Sequence, residues 1–376
     1  MQAINPLRAL SDYGQSVWLD YIHRRLLVSG ELQRLVEEDG VRGVTSNPAI
    51  FEKAIAGGTD YLDILSAADA RRVDAGTLYE RIAVRDIRDA AGVLRPEYER
   101  SQRRDGYVSL EVSPKLARDT QRTLEEARRL WQAVDRANLM IKVPATPQGI
   151  PAVQQLIAEG ININVTLLFS QTAYEGVAES YMSGLETLAR DGGDVRRVAS
   201  VASFFVSRID SAVDRLLSER SKGSSSAQEQ ALLSRMMGKA AIANAKQAYQ
   251  RYLRLFSGSR WETLAAKGAK TQRLLWASTG TKNPAYREVL YVEELIGPDT
   301  VNTMPLVTLD AFRDHGQPRA SLTENVNEAN TTMETLARLG ISMPKVTAQL
   351  LEDGVRVFVE AFDGLLRAVD RRDRVT

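Results

Sequence analysis

The stretch Leu139-Met140-Ile141-Lys142-Val143, closed by Pro144, sets one lysine among apolar residues that read as a short buried strand. A buried ammonium costs free energy unless a partner relieves it or the group gives up its charge, so this lysine asks for a chemical reason. As a neutral amine it is a nucleophile that attacks a carbonyl, giving a carbinolamine and then an iminium. The iminium is an electron sink on which an adjacent C–C bond can break or form. Burial favours the neutral amine and neighbouring carboxylates favour the ammonium; the sequence leaves that balance open.

Carboxylates are at hand. Side chains alternate along a strand, and in a barrel the outward phase meets helices and must be apolar. With Leu139, Ile141 and Val143 outward, Met140 and Lys142 point inward. By the same rule Asp20 is inward between Leu19 and Tyr21, and Ser109, Glu111 and Ser113 are inward between Val108, Leu110 and Val112. Asn164 and Thr166 are inward among Ile163, Val165 and Leu167, while Thr45 with Asn47, and Ser203 with Phe205, share phases in two further strands. Taken singly, each has a bland reading: a snorkelling lysine, a helix cap, or an Asn-Pro turn. Six segments agreeing in phase favour a shared site.

Such a set suits Schiff-base chemistry. Glu111 and Asp20 are available to move protons as water leaves the carbinolamine and as a substrate hydroxyl is deprotonated. Asn47, Asn164, Thr166 and Ser203 are candidates to position hydroxyls and water. Arg208 and Lys282, placed beside helix starts, suit a phosphate group. The chain has no cysteine, and His23 and His315 stand apart in no metal-ligand spacing, so no metal or other cofactor is expected.

The elements that must position these residues are eight strand candidates: 16–22, 43–48, 107–113, 139–145, 163–169, 198–206, 273–279 and 300–305. Amphipathic stretches such as 117–134 and 285–297 separate them. This predicts an α/β fold, a (β/α)8 TIM barrel, as a single domain over residues 1–376. Residues 51–104 supply two or three helices. Residues 207–271 form a helical insertion after strand 6 with a polar, mobile tip at 222–226, and 344–372 form a long C-terminal helix with a frayed, charged tail. Asp20, Asn47, Glu111 and Ser203 fall in the later half of their strands, at the end where barrel enzymes hold their catalytic groups.

With 44% hydrophobic and 26% charged residues the composition is that of an ordinary globular protein. Lys+Arg 49 nearly balance Asp+Glu 48, which speaks against a nucleic-acid partner. No apolar run reaches the roughly 18 residues of a membrane span, and the start lacks a signal-peptide pattern, so a cytoplasmic protein, monomer or homodimer, is expected.

The segments GVTSNPAIF, IKVPATPQGI and GININVTLLFS, with SLEVSP, ASFFVSRID and WASTGTKNPAY, closely resemble the signatures of the transaldolase family over most of residues 16–310. The chain is similar to the long bacterial form. The resemblance implies a pentose-phosphate-pathway transfer of dihydroxyacetone between sedoheptulose 7-phosphate or fructose 6-phosphate and erythrose 4-phosphate or glyceraldehyde 3-phosphate. It implies Lys142 as the Schiff-base lysine, Asp20 as the hydroxyl proton carrier, and Glu111 working through a water held by Thr166. Asn47, Asn164 and Ser203 would hold the dihydroxyacetone unit, and Arg208, assisted by Ser278, the phosphate. Where many members carry a second arginine after strand 7, this chain has Thr281-Lys282 in a slightly longer loop. The alternative is a fructose-6-phosphate aldolase that releases free dihydroxyacetone; Glu111 and Phe205 favour the transaldolase, since the aldolase branch carries Gln and Tyr there.

Overall fold

Short runs rich in Val, Ile and Leu become strands because their outward side chains are covered by helices and their inward ones by each other. The computed structural model describes residues 5–57, 60–65 and 73–373, with side chains described as far as Asp370. The chain begins with α1 (Pro6–Ala9), β1 (Gln15–Asp20), α2 (Arg24–Val28), α3 (Glu31–Glu38), β2 (Val41–Thr45), α4 (Pro48–Gly57), α5 (Leu62–Leu65) and α6 (Ala75–Arg100). It continues with β3 (Tyr107–Glu111), α7 (Thr120–Val134), β4 (Leu139–Pro144), α8 (Gly149–Ala158), β5 (Ile163–Leu168), α9 (Gln171–Arg190) and β6 (Ser200–Phe205). After β6 come α10 (Ser207–Gly223), α11 (Ala227–Met236), α12 (Ala240–Leu255) and α13 (Ser259–Ala266). The remainder is β7 (Arg273–Ala277), α14 (Leu290–Glu293), β8 (Thr300–Met304), α15 (Leu306–His315), α16 (Val326–Arg338) and α17 (Met343–Asp373).

The eight strands are parallel and close in chain order, β1 pairing with β8. The fold is a (β/α)8 barrel, as expected. Its outward residues, among them Leu19, Val44, Ile141, Val143, Val165 and Phe204, are buried under the helix layer. Phe204 and Trp276 pack edge to face there, centroids 6.2 Å apart. The strands end one to three residues earlier than the sequence suggests; Ser113, for instance, already belongs to the turn after β3.

At the N-terminal end, the barrel floor is polar and tightly paired. Asp105 accepts from Ser16 Oγ (2.7 Å), Trp18 Nε1 (3.1 Å) and Arg273 Nη2 (2.9 Å). Burial alone would raise the Asp105 pKa, but Arg273 and these hydrogen bonds hold it below the usual carboxylate range. Trp18 lies flat against β2, where a Cβ on Gly43 would stand 2.4 Å from the indole.

The predicted helix over 285–297 shrinks to α14, residues 290–293. Two tyrosine hydroxyls pull this segment onto α10 instead: Tyr286 donates to Asp214 Oδ2 (2.6 Å) and Tyr291 to Asp210 Oδ2 (2.8 Å). Asp210 Oδ1 also accepts from the Ala241 N–H at the start of α12 (2.7 Å), so one buried carboxylate fastens three segments. Between α10 and α11 the Ser-rich tip is a capped turn, with Ser226 accepting from the Glu229 N–H and Ser224 donating to the Glu229 carboxylate.

The C-terminal helix α17 packs against α4, α6, α10 and β5, which lays it across the C-terminal mouth. Two of its glycines sit at the closest approaches. A Cβ on Gly354 would meet Leu167 at 2.9 Å and one on Gly364 would meet the Glu52 carboxylate at 2.3 Å. The charged tail beyond Asp373 lies outside the described residues. Among the described residues, no helix is long and apolar enough to cross a membrane.

Gly43→Ala is expected to destabilise the fold by about 1–3 kcal/mol, because the rigid indole of Trp18 cannot yield the needed space. Urea unfolding followed by tryptophan fluorescence would measure it, and an unchanged midpoint would refute this packing argument. Burial raises the Asp210 pKa to about 7, against hydrogen bonds that lower it. The folded state therefore binds a proton that the unfolded state releases near pH 4, and this stabilisation is lost as the pH rises through about 7. Relative to the native chain, Asp210→Asn should gain roughly 1 kcal/mol or more between pH 5 and pH 8. Denaturation at several pH values would test this; a pH-independent difference would contradict it.

Candidate active site

Register does the first positioning. Glu111 pairs with Lys142 across β3 and β4, and Lys142 pairs with Asn164 across β4 and β5, so three inward residues form a row at one height. Across β1 and β2 the same holds for Asp20 and Thr45. The Lys142 ammonium is buried, lies 2.7 Å from Glu111 Oε1, and donates to the Ser46 carbonyl at 2.8 Å. Burial raises the pKa of Glu111, and the neighbouring charge of Asp20 adds to that; the Lys142 ammonium opposes both.

Asp20 accepts from Thr45 Oγ1 at 2.7 Å, and Thr45 in turn touches Thr303 Oγ1 at 2.7 Å. Burial raises the Asp20 pKa against the lowering influence of Lys142, the Thr45 hydrogen bond, Lys282 and Arg208. Opposite, Ser203 Oγ donates to Asn164 Oδ1 (2.6 Å) and Asn164 Nδ2 donates to Ser109 Oγ (3.1 Å). Asn164 is thereby fixed in orientation by its two neighbours. The Thr166 hydroxyl is buried and has no protein partner among the described residues. Asn47 caps α4, its Oδ1 accepting from the Ile50 N–H (3.1 Å), and also faces the mouth.

Strict alternation fails at the end of β5. Leu167, expected outward, sits in a left-handed conformation (φ 59°), where the pairing with β6 shifts register between Val165 and Leu168. This irregularity turns the side chain towards α17, against Gly354. Leu167, with Val355 and Phe358 of α17, lines an apolar crevice beside Glu111, Lys142 and Thr166. A wider cavity of about 1140 Å³ lies next to Asp20 and Asn47, bordered by His23, Lys53, Asp60 and Val307. The lysine thus sits beneath an apolar cover, with the open mouth to one side.

On the β6–β7 side, Arg208 opens α10 and its guanidinium stacks 5.3 Å from the Phe205 ring centroid. Phe205 in turn packs on Phe169, centroids 5.2 Å apart. Ser278, also left-handed (φ 57°), pairs its hydroxyl with that of Ser207 at 2.9 Å, tying the end of β7 to the start of α10. Desolvation and the like charge of Arg208 hold Lys282 below its ordinary pKa, and Lys53 contributes in the same direction. Arg208 and Lys282 therefore stand near Asp20 on one side of the mouth, with Lys53 close to Lys282.

All twelve residues singled out in the sequence lie at or beside this end of the barrel. Sequence reasoning missed Thr303, because strand 8 was left without an inward assignment. It also missed the Ser46 carbonyl, since backbone acceptors carry no sequence signal. Lys53 is a single lysine outside every strand candidate and carries no sequence signal, and Val355 and Phe358 lie more than two hundred residues from Lys142 in the chain.

Residues 17–369 match the family model for transaldolase/fructose-6-phosphate aldolase. The chain is 46% identical to a transaldolase of Trichodesmium erythraeum over 370 residues, covering 98% of this chain and 97% of the relative. It is 48% identical to a transaldolase of Thiobacillus denitrificans over 366 residues, 97% of this chain and all of that one. A third relative, transaldolase 2 of Nostoc punctiforme, is 47% identical over 374 residues, 99% of this chain and 98% of the relative. A closed barrel with a buried lysine–carboxylate pair at its mouth, matched along nearly its whole length by proteins of this one kind, belongs to the transaldolase/fructose-6-phosphate aldolase family and lies on its transaldolase side.

Proposed function

We propose that the enzyme carries a dihydroxyacetone unit on Lys142 between two phosphorylated aldoses, taking it from sedoheptulose 7-phosphate or fructose 6-phosphate. The observation that carries this reading is the Lys142 amine held between Glu111 Oε1 and the Ser46 carbonyl, out of water and in line with Asn164. Passing one proton from the ammonium to Glu111, 2.7 Å away, leaves a neutral nucleophile, and burial makes Glu111 the more willing acceptor.

The amine attacks the ketose carbonyl, whose oxygen takes a proton. Glu111, acting through a water held by the free Thr166 hydroxyl, then protonates that oxygen so it departs as water and leaves the iminium. Asp20 removes the proton from the C4 hydroxyl, the C3–C4 bond breaks, and its electron pair moves into the iminium to give an enamine. The released aldehyde leaves and a second one enters. The enamine carbon attacks it, and Asp20 returns its proton to the new hydroxyl; hydrolysis frees the ketose and Lys142. Asn164, oriented by Ser203 and Ser109, and Asn47 at the mouth hold the hydroxyls of the bound unit. Arg208 and Ser278 receive the phosphate, with Lys282 adding charge without a bidentate fork. Phe205 keeps Arg208 in place. Such chemistry on soluble sugar phosphates fits the cytoplasm.

Borohydride reduction of a mixture with fructose 6-phosphate should add mass to the peptide holding Lys142 alone, with or without EDTA. An adduct on another lysine, or loss of trapping on removing divalent metal, would sink the scheme. Lys142→Ala should abolish transfer to erythrose 4-phosphate while leaving the circular dichroism spectrum unchanged, and free dihydroxyacetone should not accumulate in the native enzyme. Thr45→Val removes a hydrogen bond that favours ionised Asp20, so the Asp20 pKa should rise. The acid limb of the kcat/KM profile should move to higher pH by about half a unit or more; a limb that stays put would separate Asp20 from the proton transfer.

A further inference from the structure

A cavity of about 410 Å³ opens at the opposite, N-terminal end of the barrel, walled by the starts of strands and the turns that lead into them. Four cations line it, Arg103, Arg104, Lys270 and Arg273, against a single carboxylate, Asp299. Arg104 pairs with Asp299 at 2.8 Å and Arg273 with Asp105 at 2.9 Å. Arg103 and Lys270 have no acidic partner within ion-pair distance among the described residues. The Lys270 ammonium donates to the Arg196 carbonyl at 3.0 Å, and Asp194, beyond ion-pair distance, offsets only part of its charge. Desolvation lowers the Lys270 pKa and the like charge of Arg103 lowers it further, so the two cations share one neighbourhood.

The wall is built rather than loose. Gln102 (φ 53°) and Arg103 (φ 65°) are consecutive non-glycine residues in the left-handed region, a conformation that persists only where surrounding bonds impose it. Here the Arg103 N–H donates to the Tyr98 carbonyl (2.7 Å) and the Tyr107 hydroxyl donates to the Arg103 carbonyl (2.8 Å). Trp261, packed edge to face on Phe256 with centroids 4.9 Å apart, supplies a flat apolar wall. Two cations without an acidic ion-pair partner and an aromatic face, in a volume within the range of small-molecule sites, describe a receptor for a compact dianion with a polyol body.

We propose that this cavity is a second binding site, separate from the catalytic mouth, for a small sugar phosphate. The phosphate lies between Arg103 and Lys270, and the sugar lies against Trp261. The ligand also meets Met140 and Val201, each two residues ahead of a mouth residue, Lys142 and Ser203, on the same strand.

Glucose 6-phosphate, an aldose with no ketone for Lys142 to attack, serves as the probe. Isothermal titration of the full chain carrying Arg208→Ala, to weaken the catalytic phosphate subsite, should show one saturable site whose affinity falls with added salt. Adding Arg103→Ala and Lys270→Ala should weaken it roughly tenfold or more, as expected for lost hydrogen bonds to a charged group. The same pair of changes in the otherwise native enzyme should leave transfer activity within about twofold, which also shows that the variant folds. Absence of binding, binding indifferent to the two changes, or equal displacement by sulfate would overturn the proposal. None of these outcomes bears on the Lys142 adduct, which tests the catalytic reading alone.

Discussion

Keeping one ammonium and two carboxylates together out of water is the constraint on which the mouth of this barrel depends. Each ion loses hydration on burial, and attraction offsets that loss only at short range and with further hydrogen bonds. Lys142 meets both conditions, with Glu111 at 2.7 Å and the Ser46 carbonyl at 2.8 Å. The two carboxylates do less well: burial raises both Glu111 and Asp20 above the usual carboxylate range. One lysine cannot fully compensate two neighbouring negative charges, and the proton is therefore cheap to move. A carboxylate of raised pKa is a competent acceptor for the lysine's proton and, once protonated, a competent donor to a leaving hydroxyl.

The barrel achieves this with register and closure. Parallel pairing sets Glu111, Lys142 and Asn164 side by side on consecutive strands, and closure brings Asp20, Thr45 and Thr303 round to face them. A single register shift in β5 does the remaining work, turning Leu167 up to meet α17. Glycine at 354 lets the helix come close enough for Val355 and Phe358 to cover the lysine. A helix interior prefers alanine to glycine by about 1 kcal/mol, so the residue is there for packing and not for helicity.

The barrel and the inward phase of β1, β3, β4 and β5 were legible because alternation in a half-covered strand has a strict period of two and the outward phase is uniformly apolar. That rule failed at Leu167, where a bulge breaks the period without any glycine or proline to announce it. It failed differently at 285–297, whose helical pattern gives way to Tyr286 and Tyr291 bonding to carboxylates on α10. Local pattern registers neither a distant acceptor nor a distant cover, and so α17's part in the mouth was also invisible. Family resemblance supplied roles for single residues; the alternation had supplied only their common direction.

The two ends of the barrel show what separates a structural polar cluster from a reactive one. Both bury a carboxylate beside a cation. At the floor, Asp105 receives three hydrogen bonds, from Ser16, Trp18 and Arg273, and its pKa is pushed down. An ion so well matched has no reason to exchange a proton, and that cluster holds β1, β3 and β7 together. At the mouth the donors are fewer, the carboxylates are pushed up, and the Thr166 hydroxyl is left without a partner among the described residues. Incomplete satisfaction costs stability, and it leaves bonding capacity that a substrate and a water can take up as the charges shift. Reactivity in this fold therefore follows from how completely the surrounding donors match a buried charge, since charge itself is present at both ends.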